Sequence, residues 1–94
     1  MSRKRAFVPD DFEDVNWVSI SPNPASEFFS IRNQLDVVLD FEIRNLQGVL
    51  ILKSDIKGLE IKELELEAWR AGYYLAIFRK PSGASYATKL LVLK

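Results

Sequence analysis

The chain has no histidine and no cysteine among its 94 residues. Without histidine it lacks the usual near-neutral general base and the commonest transition-metal ligand. No Ser-His or Cys-His pair can be assembled within it. Without cysteine it has neither disulfides nor thiolate metal sites. Only carboxylate chemistry is left for an enzyme, so the chain is expected to be non-enzymatic, with no cofactor and no catalytic or metal-binding residue. An excess of one charge is also missing. Thirteen basic side chains balance thirteen acidic ones, and no global field steers the chain to nucleic acid. No stretch reaches the ~20 apolar residues that cross a bilayer, so direct membrane insertion is not expected. The basic start, Arg3-Lys4-Arg5, is not followed by the apolar core of a secretory leader. A domain of this kind working outside the cytoplasm takes its export signal from a segment upstream.

What is present fits one soluble domain with one core. Hydrophobic residues make up 48% and charged residues 28%, too apolar for disorder. Residues 1–16 change sign from the basic triplet to Asp10, Asp11, Glu13 and Asp14. Phe7 and Phe12 stand there without period, which marks a linker or N-terminal tail. From Trp17 to Lys94 the pattern is strand, turn, strand. Phe29 and Ile31 alternate with Phe28, Ser30 and Arg32. Val37, Leu39, Phe41 and Ile43 alternate with Val38, Asp40, Glu42 and Arg44, the two-residue period of a half-buried strand. Gly48 sits in the turn before Val49-Leu50-Ile51-Leu52 and is a candidate for positive φ. Between Leu59 and Leu66 the apolar parity slips, and a bulge near Lys62-Glu63 reconciles the halves. Tyr73 to Phe78 and Tyr86 to Lys94 complete the set. About seven short strands without a convincing helix predict an all-β fold, an immunoglobulin-like β-sandwich of antiparallel strands.

Four local features carry a more specific reading. Ser21-Pro22-Asn23-Pro24-Ala25-Ser26 follows the first strand. The two prolines fix φ and remove donors there, which stops the strand. Gly48 precedes a mid-domain apolar strand. Gly72-Tyr73-Tyr74-Leu75 opens the sixth strand, with Tyr74 expected in the core and its hydroxyl at the edge. The chain then ends on Thr88-Lys89-Leu90-Leu91-Val92-Leu93-Lys94, where Leu90 and Val92 share one face and Leu91 and Leu93 the other. A strand apolar on both faces is either covered or offered to a partner.

In this order the features resemble the type A C-terminal sorting domain of the type IX secretion system, the Por secretion system family, over residues 17–94. Trp69 stands where the family usually has leucine. The resemblance implies transport in place of chemistry. Such a domain rides behind an upstream cargo domain, transits the periplasm and is recognised by an outer-membrane translocon. A sortase-like peptidase then removes it at the cell surface, here by cleavage within residues 1–16. Lys89, Leu90, Leu91, Val92, Leu93 and Lys94 are the candidate partner-recognition residues. Pro22, Asn23, Pro24, Gly48, Gly72 and Tyr74 are the motif residues. Removing Leu90 to Lys94 is expected to abolish export and leave the sandwich largely folded. The alternative is an immunoglobulin-like adhesion or carbohydrate-binding module of a secreted protein, in which Trp17, Trp69, Tyr73 and Tyr86 form a sugar-stacking platform.

Overall fold

The structure is a computed structural model, and it describes residues 16–94. Apart from Asn16, the expected tail and its cleavage point lie outside the described residues. Seven strands follow in order: β1 (Val18–Ser21), β2 (Phe28–Asn33), β3 (Leu39–Asn45), β4 (Leu50–Ile56), β5 (Ile61–Glu65), β6 (Gly72–Arg79) and β7 (Ser85–Val92). All pair antiparallel, in a three-stranded sheet β1-β2-β5 and a four-stranded sheet β4-β3-β6-β7. This is the expected all-β sandwich. Its fourth strand lies beside the third, whereas antibody constant domains place it on the other sheet.

The two-residue period places the core. Phe29 and Ile31 from β2 meet Leu39, Phe41 and Ile43 from β3, with Tyr74, Ala76 and Phe78 from β6 and Leu90 and Val92 from β7. All are buried. Phe41 and Phe78 lie opposite one another across β3 and β6, with ring centroids 5.5 Å apart. Val37 and Val38 fall outside β3 and are exposed. They belong to the loop that carries the chain from one sheet to the other.

The expected bulge near Lys62-Glu63 is not there. β5 pairs with β2 without interruption from Ile61 opposite Arg32 to Glu65 opposite Phe28. The parity slips because Leu59 is not a strand residue. It occupies the preceding turn at φ +62° and is largely exposed, as is Ile61. The inward positions of this strand are Lys62 and Leu64, followed by Leu66. Lys62 avoids burying its charge by reaching across the gap between the sheets to β4, where its ammonium donates to the Asp55 carbonyl at 2.7 Å. The register irregularity lies instead between β3 and β4, at Ile43 and Arg44.

Candidate functional site

The crossing from β1 to β2 brings the two ends of the motif set together. Having left β1, residues 22–25 pass to the other sheet and lie along the outer edge of β7. Ala25 bridges Val92 in parallel. Its N–H donates to the Leu91 carbonyl at 2.9 Å, and its carbonyl accepts from the Leu93 N–H at 2.8 Å. Asn23 continues the pattern with its side chain. Its Nδ2 donates to the Lys89 carbonyl and its Oδ1 accepts from the Leu91 N–H, both at 3.1 Å. An asparagine amide carries the same donor and acceptor as a peptide unit, so Asn23 serves the edge as a short piece of strand would. Pro22, Asn23 and Pro24 are exposed, and Ala25 alone is buried. The peptide bonds preceding both prolines are cis.

On its other side β7 pairs with β6. Gly72 faces Val92, Tyr73 faces Leu91 and Tyr74 faces Leu90. Gly72 has φ +142°, and a Cβ there would meet no other atom, so the requirement is conformational and not spatial. Tyr74 is buried, and its hydroxyl donates to the Arg70 carbonyl at 2.6 Å. That bond to the backbone a few residues upstream, from a tyrosine near the start of the sixth strand, is the tyrosine corner of Greek-key sandwiches. Trp69 sits beside it, 5.0 Å from the Tyr74 ring and edge-on to Phe29 at 5.8 Å. The larger aromatic is accommodated by lying half-buried over the core's end. The Lys94 ammonium donates to the Leu66 carbonyl at 2.5 Å and to that of Glu67 at 3.3 Å. The Lys89 ammonium lies 5.7 Å from the Tyr73 ring.

The terminal segment is therefore two-sided. Leu90 and Val92 are fully buried, Leu91 is half-buried and Leu93 is half exposed. Gly48 is not part of this cluster. It closes the β3–β4 turn at φ +86°, two strands away across the sheet. It shares the same end of the sandwich, since Asn45 faces Tyr74. Arg44 ties that turn to the outer sheet face by donating to the Gly48 carbonyl at 2.7 Å and pairing with Glu42 at 2.6 Å. The hydrogen bond from Arg44 holds the Glu42 carboxyl below the ordinary glutamate range, with added attraction from Arg79 and Lys53; partial desolvation opposes them.

The four aromatics proposed for a sugar platform fall into two separate pairs, with Trp69 and Tyr73 lining one surface pocket beside Asn45 and Arg70. Trp17 stacks on Tyr86 at 5.6 Å with the Lys80 ammonium 4.5 Å from its ring. Tyr86 lies opposite Phe78, towards the far end of β6 from Tyr73. Two residues escaped the sequence reading. Ala25 acts through its main chain, which leaves no side-chain signature. Asn33 is buried and fixes two loops: its Nδ2 donates to the carbonyls of Val37 at 2.8 Å and Lys57 at 2.9 Å, and its Oδ1 accepts from the Leu35 N–H at 3.0 Å. A polar residue at an inward strand position was the available signal.

The arrangement offers no nucleophile held by a base. What it offers is a strand edge, held open on one face and occupied by a short crossing segment. Against protein families, the model described as secretion system C-terminal sorting domain matches residues 19–93. Comparison with curated proteins and with solved structures gave no match.

Proposed function

Because the chain belongs to the secretion system C-terminal sorting domain family, we propose that it is a non-enzymatic signal read as a folded surface by an outer-membrane translocon. As a sorting domain of the type IX system it directs an attached protein to the cell surface or the medium. The finer steps are that the cargo crosses the periplasm under an upstream export signal and that a sortase-like peptidase cuts within residues 1–16. The folded unit then runs from Trp17 to Lys94. The supporting observation is that Asn23 and Ala25 hydrogen-bond the terminal strand at Lys89, Leu91 and Leu93. Two stretches at opposite ends of the chain thus form one continuous surface, with Gly72 and Tyr74 on the neighbouring strand. The roles assigned to Lys89 through Lys94 are recognition through Leu91, Leu93 and the two lysines, and core packing through Leu90 and Val92.

The test is a reporter carrying a signal peptide at its front and residues 1–94 at its back, in a host with this secretion system. Surface-exposed or released reporter, shortened by the mass of the domain, is the expected result. Full-length reporter retained in the periplasm overturns the reading.

A further inference from the structure

We propose that residues 22–25 are a displaceable plug on a strand-acceptor site, and that the partner pairs an extended segment of its own with the β7 edge. This rests on the sorting reading and names the mode of recognition. In β7 the main-chain groups of Leu91 and Leu93 point away from β6, as the bonds to Ala25 show. By the alternation of an antiparallel ladder, those of Ser85, Ala87 and Lys89 point the same way. The edge is thus divided. From the Lys89 carbonyl to the Leu93 N–H it is filled by Asn23 and Ala25. At Ser85 and Ala87 it has no main-chain partner among the described residues.

The two parts differ in what their occupancy costs to undo. The plug contributes two side-chain bonds from an exposed asparagine, two main-chain bonds, and one buried methyl from Ala25. Its prolines lack the N–H that would extend the ladder. Among the described residues, nothing bars an incoming strand from the main-chain groups of Ser85 and Ala87. From there it can advance towards Leu93, exchanging each plug bond for one of its own, so no edge group is left unpaired for long. The plug also shows what the edge accepts, namely an extended chain parallel to β7 with a small residue beside Val92. The occupant is accordingly an extended main-chain segment of the secretion machinery, added as one more strand. Until it arrives, the plug keeps the edge from pairing with wrong chains.

The test uses the same reporter with Ala25→Cys, Val92→Cys and the double variant. Paired strand positions bring Cα atoms within disulfide range, so oxidation in the periplasm ties the plug to β7. Each single variant supplies its own baseline, and the cross-linked double variant is expected to export at least tenfold less than the weaker single variant. Export of the cross-linked form at the level of the weaker single variant overturns the proposal. Retention of the wild-type reporter overturns the sorting reading itself, and the proposal with it. A second variant needs no cross-link. Asn23→Ala loosens the plug, and Leu91 amide exchange should accelerate about tenfold while export holds or rises. An export loss above threefold, with exchange accelerated, shows that Asn23 is read directly and overturns displacement.

Discussion

At the scale of single residues, the most consequential side chain is one that carries no motif. Asn33 sits inside the sandwich and joins the loops that follow β2 and β4. Replacing it by leucine keeps the branched shape but leaves three half-buried partners unsatisfied, at about 1 kcal/mol or more each. Asn33→Leu is expected to lower the unfolding free energy by about 2–4 kcal/mol, read as a drop in the urea midpoint with unchanged slope. Glu42 offers a pH test with a defined sign. Its folded-state carboxyl titrates below the unfolded reference of 4.5 because Arg44 bonds it. The stabilisation it brings is therefore present above the unfolded value and lost as pH falls through the folded one. A carboxyl NMR titration should place Glu42 below the ordinary glutamate range, and Arg44→Gln should bring it back up. Pattern alone gave no sign of Glu42, and of Asn33 only that a polar residue stands at an inward strand position. Asn33 looks like a loop-flanking asparagine until its partners are seen, and Glu42 like any outward position on a strand.

At the scale of elements, alternation made β2, β3, β6 and β7 legible because their inward positions are apolar until their ends, with Thr88 in β7 the exception. β5 was misread for a physical reason. Leu59 and Ile61 are apolar yet exposed, whereas Lys62 faces inward and escapes by bonding the Asp55 carbonyl on β4. Hydrophobicity therefore counted against the true register. The turn holding Leu59 is costly for that residue, since a left-handed backbone brings the Cβ of an L-residue against the following carbonyl oxygen at roughly 1–2 kcal/mol. Leu59→Gly removes that cost and loses little burial. The expected gain is about 0.5–1 kcal/mol after glycine's greater unfolded-state entropy is set against it, measured as a rise in melting temperature. An unchanged or lowered melting temperature would show that Leu59's exposed side chain contributes more than its backbone strain costs. The plug on β7 was half legible: its prolines announce a stop, but its pairing with residues almost seventy positions away has no local trace.

At the scale of the whole molecule, folding and recognition share one strand, and this changes how the terminal residues can be tested. Removal of Leu90 to Lys94 was expected to spare the fold. The structure contradicts that expectation: Leu90 and Val92 are fully buried, and the segment pairs with β6 on one side and Ala25 on the other. Losing two buried aliphatic side chains costs about 2–4 kcal/mol each. With the ladder bonds on both sides added, the total rivals the whole stability of a small domain, about 5–10 kcal/mol. The truncated chain is expected to lack a cooperative thermal transition by circular dichroism, and any export failure it shows then reports unfolding. Leu91→Ser and Leu93→Ser separate the two roles, because these side chains face outward at half-buried and half-exposed positions. Their combined effect on stability should stay within about 1 kcal/mol. If the outward face of the terminal strand is what the secretion machine reads, export of the double variant falls severalfold while its melting curve stays near that of the parent. Export at the parental level in a folded double variant would leave the Leu91 and Leu93 side chains without a recognition role, and would confine recognition to the main-chain edge that Asn23 and Ala25 occupy.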